Sequence, residues 1–106
     1  MNEVYESLQH LINAVLESEI YHKYKLQCTR VNMYPELKAQ IDDYRNRNLE
    51  LQTSENTTFE QLDRFEQEYA GFRDNPIVSD FLAAELAFVR MMQDINLKLT
   101  EAIQFE

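Results

Sequence analysis

The sequence predicts an all-α fold, an antiparallel helical bundle of about four helices, two long and two shorter. Three observations carry that expectation. Glycine occurs once and proline twice in 106 residues, so the turn chemistry that many short strands need is scarce. Glu, Gln, Leu, Ala, Lys and Arg are plentiful, and these are the good helix formers. Apolar residues recur at steps of three and four through four long segments. A chain of this length reads as a single domain, residues 1–106. It buries a modest core, and small helical chains often extend such a core by oligomerising.

The first predicted helix runs from Asn2 to about Arg30–Asn32. Its apolar stripe is Val4, Leu8, Leu11 and Val15, flanked by Tyr5, Ile12 and Leu16 and continued by Ile20 and Tyr24. Pro35 breaks it, because proline disfavours helical geometry in Tyr34 and suits a first turn itself. Glu36 then places an acid where the helix dipole favours one. The second helix covers Pro35 to Gln52 with Leu37, Ile41, Tyr44 and Leu51 on one side, interrupted by Asn48. The polar stretch Thr53–Thr58 is the linker, and Thr57-Thr-Phe-Glu60 reads as a capping box. The third helix, Phe59 to about Arg73, repeats aromatics at Phe59, Phe65, Tyr69 and Phe72 beside Leu62. Gly71 near its end fits fraying or a C-terminal cap. Asn75 is a good N-cap and Pro76 a good first helical residue for the fourth helix.

That fourth helix carries two apolar seams. Ile77, Phe81, Ala84, Phe88, Met91, Ile95, Leu99 and Ala102 form one; Val78, Leu82, Glu85, Val89, Met92 and Ile103 form the other. Roughly 27 residues at about 1.5 Å each span on the order of 40 Å, which middle helices of roughly 15 to 18 residues cannot cover. Either both seams fill a bundle core, or one packs inside the chain and the other meets a partner. The second alternative predicts a homodimer or larger homo-oligomer. Val78, Phe81, Leu82, Glu85, Phe88, Val89 and Met92 are then the residues expected to set core register or form the interface. Glu85, a lone carboxylate on an oily face, needs a partner to offset its desolvation. A tyrosine of the first helix or a base is expected to supply it.

The remaining residues exclude more than they suggest. The formal charge is −9, with 19 acids against 10 bases, and such a surface repels phosphate backbones. No direct nucleic-acid partner is expected. Cys28 is the sole cysteine, so the chain forms no internal disulfide and no thiolate metal site by itself, and a reducing compartment fits. The N-terminus is acidic where a signal peptide needs a basic start, and no run of 18 apolar residues is present to span a membrane. A cytoplasmic location is expected. His10 and His22 point some 120° apart on one straight helix. Glu19-Ile-Tyr-His22 matches the Glu-x-x-His of di-iron bundles, but those need two such motifs, and Ser7 stands three residues before His10. Accordingly no catalytic, cofactor-binding or metal-binding residue is expected; a metal- or cofactor-carrying bundle is the alternative.

Four stretches together resemble a known family: SEIYHKYK (Ser18–Lys25), PELKAQIDDYR (Pro35–Arg45), LELQ (Leu49–Gln52) and NPIVSDFLAAELAFVRMMQDI (Asn75–Ile95). The order and content are similar to the YlbF/YmcA family of small helical bacterial proteins, over roughly Val4 to Ile103. Its most specific pieces are Tyr21-x-x-Tyr24, Pro35–Leu37, Asn75-Pro76, Ala84-Glu85 and Phe88. The resemblance implies an all-helical protein that forms dimers or larger assemblies and has no known active site. It further implies a regulatory role in Firmicutes, in competence, sporulation and biofilm formation, with a family paralogue of unassigned role as an alternative. There the family works in multiprotein complexes that stimulate a phosphorelay and influence messenger-RNA processing by RNase Y. Iron–sulfur clusters and a flavin are associated with those complexes, but Cys28 alone supplies no cluster ligand set here. The residues before Pro35, Asn32-Met-Tyr34, also depart from the acid or asparagine the family places there. Within the resemblance, Glu85 belongs to an Ala-Glu core signature with a structural role.

Overall fold

The computed structural model describes residues 2–103; Met1 and residues 104–106, the ends of the predicted domain, lie outside them. The described residues are all-helical: α1 (Glu3–Glu17), α2 (Glu19–Asn32), α3 (Pro35–Thr53), α4 (Phe59–Arg73) and α5 (Pro76–Ile103). There are thus five helices rather than four, because the expected long first helix divides at Ser18. That residue takes an extended conformation, φ −67° and ψ 149°. Its hydroxyl donates to the Val15 carbonyl at 2.6 Å and accepts from the Tyr21 amide at 3.1 Å. One serine therefore closes α1 and N-caps α2, an alternative to the helical ladder that serine side chains readily offer.

The other boundaries follow local chemistry. Tyr34 precedes α3 without a side-chain cap, and Pro35 occupies the first turn. The capping box at α4 sits one residue later than expected. Thr58 accepts from the Gln61 amide at 3.2 Å, and the Gln61 side chain accepts from the Thr58 amide at 3.0 Å. Thr57 instead donates to the Leu51 carbonyl at 2.9 Å, tying the linker back to α3. Gly71 is neither a frayed end nor a cap: it lies inside α4, and Asp74 is the C-cap. Asn75 starts α5 as expected, accepting from the Ile77 amide at 2.9 Å.

The core is small and lies toward one end of α5. Val31 of α2, Ile41 of α3, and Val78 and Phe81 of α5 are buried together, with Tyr24, Cys28, Leu37 and Leu82 packed around them. A second cluster joins α3 to α4, where Tyr44 meets Phe65 at 5.4 Å, Tyr69 at 5.1 Å and Phe72 at 5.6 Å. Such pairs add about 0.5–1.5 kcal/mol each beyond the area they bury. A polar clamp closes the same joint. Arg47 makes two 2.8 Å bonds to Glu68 and a 3.1 Å bond to the Tyr69 hydroxyl, which donates to Asp43 at 2.9 Å. The guanidinium holds the Glu68 carboxyl below its usual range, while burial raises the Tyr69 phenol. A lowered carboxyl pKa means the clamp stabilises the fold at neutral pH and loses that contribution as pH falls through the folded-state value.

The molecule is a flat slab, 53 × 39 × 18 Å, with a radius of gyration of 17.8 Å against about 13 Å for a compact chain of this length. Its accessible surface is 8487 Å², roughly 2,200 Å² more than the roughly 6,200 Å² expected of a compact monomer of its mass. No residue of α1 is buried, although the helix is strongly amphipathic.

Because Ile41 is fully enclosed, Ile41→Ala is expected to lower the unfolding free energy by about 2–5 kcal/mol. Met33→Ala, at an exposed site, should stay within about 0.5 kcal/mol. Urea unfolding followed by circular dichroism, at equal protein concentrations, measures both.

Candidate functional site

The seven α5 residues singled out in the sequence occupy three different environments. Val78 and Phe81 are buried in the core, with Leu82 half-buried beside them. Phe88 is half-buried, stacked on Tyr24 at 5.1 Å and tilted against Tyr21 at 5.4 Å. Val89 and Met92 are exposed. Coverage falls along the length of α5, and beyond Phe88 it also differs between the seams: Met91 and Ile95 of the first remain half-buried, while Val89, Met92 and Ile103 of the second are exposed. The first part of the helix is enclosed by α2, α3 and α4; beyond Phe88, Val89, Met92, Leu97, Leu99 and Ile103 face outward.

Glu85 sits at the transition. Its half-buried carboxylate pairs with the guanidinium of Arg45 on α3. Arg45 also reaches Asp42 at 3.5 Å and lies 5.2 Å above the Phe81 ring. The acid on the oily helix thus meets a base, one of the two partners its chemistry required, and the pair fixes α3 against α5. A tyrosine, Tyr24, stands close to the pair; burial raises its phenol first, with Cys28 and Glu85 adding to the rise. Arg30 of α2 makes a second tie to α5, at 2.8 Å to Asp80.

Arg45 belongs to no chemical motif in the sequence. Its position carries a signal: it follows Ile41 by four residues, so a cation stands on the apolar side of α3 as Glu85 stands on that of α5. Arg47, likewise outside any motif, organises the α3–α4 clamp.

Two apolar grooves flank α5. The first, about 350 Å³, lies between α1 and α5 and is lined by residues such as Leu8, Leu11, Val15, Met92, Ile95 and Leu99. The second, about 720 Å³, lies between α3 and α5, where Leu49, Leu82, Leu86 and Val89 surround the Arg45–Glu85 pair. The only charged residues lining the two grooves are Arg45 and Glu85, which are paired with each other. Glu19 pairs with Lys23 at 3.2 Å, and His10 and His22 are exposed. Among the described residues no three His, Cys, Asp or Glu side chains converge on a metal-binding position. None of the helices is long and apolar enough to cross a membrane. Chemically, the arrangement offers open apolar surface on both sides of α5.

The half-buried ion pair leads to a specific expectation. Glu85→Ala and Arg45→Ala should each destabilise the protein by about 1–3 kcal/mol, because each strands the opposite charge. The double variant should lose clearly less than the sum. Denaturation of the four proteins gives the cycle; strict additivity would show that the two side chains do not interact.

Similar proteins sharpen this picture. A UPF0342 protein of Caldicellulosiruptor bescii is 24% identical over all of this chain and 92% of its own length. Its counterpart in Caldicellulosiruptor saccharolyticus shows the same identity and coverage. A UPF0342 protein of Alkalihalophilus pseudofirmus is 25% identical over 98% of this chain and 92% of its own. No solved structure matches the chain. The family described as "Control of competence regulator ComK, YlbF/YmcA" matches residues 4–104, nearly every residue of all five helices. With that match over almost the whole helical chain, the chain belongs to the YlbF/YmcA family.

Proposed function

We propose that this protein is a non-enzymatic regulatory adaptor that acts through helix-to-helix contacts with copies of itself and with other regulatory proteins. The observation that carries this reading is the apolar surface left open on both sides of α5. Contiguous open apolar surface on a small protein is characteristic of a protein–protein interface. The family's description supplies the regulatory setting, control of a competence regulator. We extend it to the family's wider association with sporulation, biofilm formation and RNase Y-dependent messenger-RNA processing. In this reading the chain is one domain working in the cytoplasm. The antiparallel bundle expected from the sequence is completed between chains. The −9 charge directs the protein toward protein partners and away from the RNA itself.

Affinity purification of the tagged full-length protein from its native cells tests the proposal. Recovery of another YlbF/YmcA-family protein or of an RNA-processing nuclease, with altered competence when the gene is deleted, is the expected result. Unchanged competence with neither partner recovered would contradict it. A purified protein carrying stoichiometric metal or visible absorbance would instead favour a cofactor-carrying bundle.

A further inference from the structure

Bases are scarce in this chain, 10 against 19 acids, and most of them are paired. Among the described residues Lys23, Arg30, Arg45, Arg47, Arg73 and Lys98 each hold a carboxylate. Lys25, Lys38, Arg64 and Arg90 do not. With nearly two acids for every base an unpaired cation is the exception, yet Lys25 and Lys38 line one cleft. That cleft, about 280 Å³, lies between α2 and α3. Lys25, Cys28 and Asn32 follow one another along α2 at steps of three and four, so one helix face supplies them. Lys38, Asp42 and Arg45 do the same on α3.

Three cations thus stand against one carboxylate in the cleft, a net charge of +2 in a protein of charge −9. Asp42, that single acid, is held by Arg45 at 3.5 Å, and Glu85 takes another donor of the same guanidinium. No carboxylate pairs with either ammonium group. Arg45 also has a donor to spare, since its buried Nε–H is without a partner. The rest of the lining is largely apolar, with Tyr24, Cys28, Ile41 and Phe81.

We propose that this cleft binds a small organic phosphate monoester, its phosphate between Lys25 and Lys38 and its apolar body against Tyr24, Cys28 and Phe81. Charge selects the anion. A phosphate monoester carries about −1.5 to −2 at neutral pH, which balances the cleft, whereas a carboxylate leaves half of its charge uncompensated. Lysine binds phosphate as a point charge with three rotatable donors. A nucleic-acid diester brings only one charge per phosphate, and the acidic surface around the cleft repels a polyanion. The volume lies just below the roughly 300 Å³ at which ligand pockets usually begin, which calls for a small ligand. Held there, the ligand bridges α2 and α3 beside the Arg45–Glu85 tie. The inference stands apart from the adaptor reading, since it needs neither a partner chain nor a regulatory setting.

Isothermal titration calorimetry of the full-length protein with phenyl phosphate tests the site, with benzoate and inorganic phosphate as comparisons. Phenyl phosphate should bind saturably, roughly fivefold tighter than either comparison, because benzoate lacks a charge and inorganic phosphate lacks the apolar body. Lys25→Gln and Lys38→Gln, both at exposed positions, should each weaken binding about tenfold by removing a charge-assisted bond. Arg90→Gln, which removes an unpaired base on α5 outside the cleft, should leave the affinity unchanged. Cys28 reports the location: phenyl phosphate should slow its alkylation by iodoacetamide in proportion to occupancy. Equal affinity for benzoate would remove the phosphate from the proposal, and equal affinity for inorganic phosphate would remove the apolar body. Equal weakening by Arg90→Gln would remove the cleft. Each of these overturns the inference, as does an absence of saturable binding or binding that leaves the alkylation of Cys28 unslowed.

Discussion

Length mismatch between helices is the constraint from which the shape of this protein follows. The last helix has 28 residues, while α2 and α4 have 14 and 15. At about 1.5 Å per residue, neighbours half as long enclose half of it. They do so at its first half, around Val78 and Phe81, where the buried residues of α2 and α3 converge. The partner that would have run beside the second half is the first helix of the chain. Ser18 bends that helix, so α1 borders α5 across an open groove instead of sealing it. The result is a slab 18 Å thick.

Charged side chains decide how the short helices sit on the long one. Arg45 with Glu85 and Arg30 with Asp80 tie α3 and α2 to α5, and Arg47 with Glu68 and Tyr69 ties α4 to α3. Apolar packing alone tolerates sliding by a turn; a half-buried ion pair does not, because a one-turn slip strands a charge. The strong acidic excess has a complementary effect outside. It makes uncharged surface, such as the second half of α5 and the apolar residues of α1, the place where a contact between two such chains would meet least repulsion.

Much of this was legible in the sequence, and the exceptions have physical causes. Pro35 and the Asn75-Pro76 pair placed two helix starts correctly because proline and asparagine act locally, through fixed φ and a side-chain cap. The aromatic spacing of α4 gave both its ends. Ser18 escaped because a serine break needs neither proline nor glycine, and the apolar stripe passes through it unchanged. Two adjacent threonines, each with an acid or amide three residues on, left the α4 cap ambiguous, and the amide at Gln61 prevailed over Glu60. Glu85 stood out as a charge in an oily helix, but its partner lies forty residues away on another helix, a separation that periodicity does not encode. The width of the apolar face was legible too. How it divides was not, since that depends on where the shorter helices end in space.

The mass of the unmodified protein in solution probes the central claim most directly, namely that one chain carries more apolar surface than it can enclose. Sedimentation equilibrium at low micromolar concentration should return twice the mass of the chain, or a higher multiple. A protein that sediments as one chain into the high micromolar range, with a radius of gyration near the roughly 13 Å of a compact monomer, would show that its helices close on themselves.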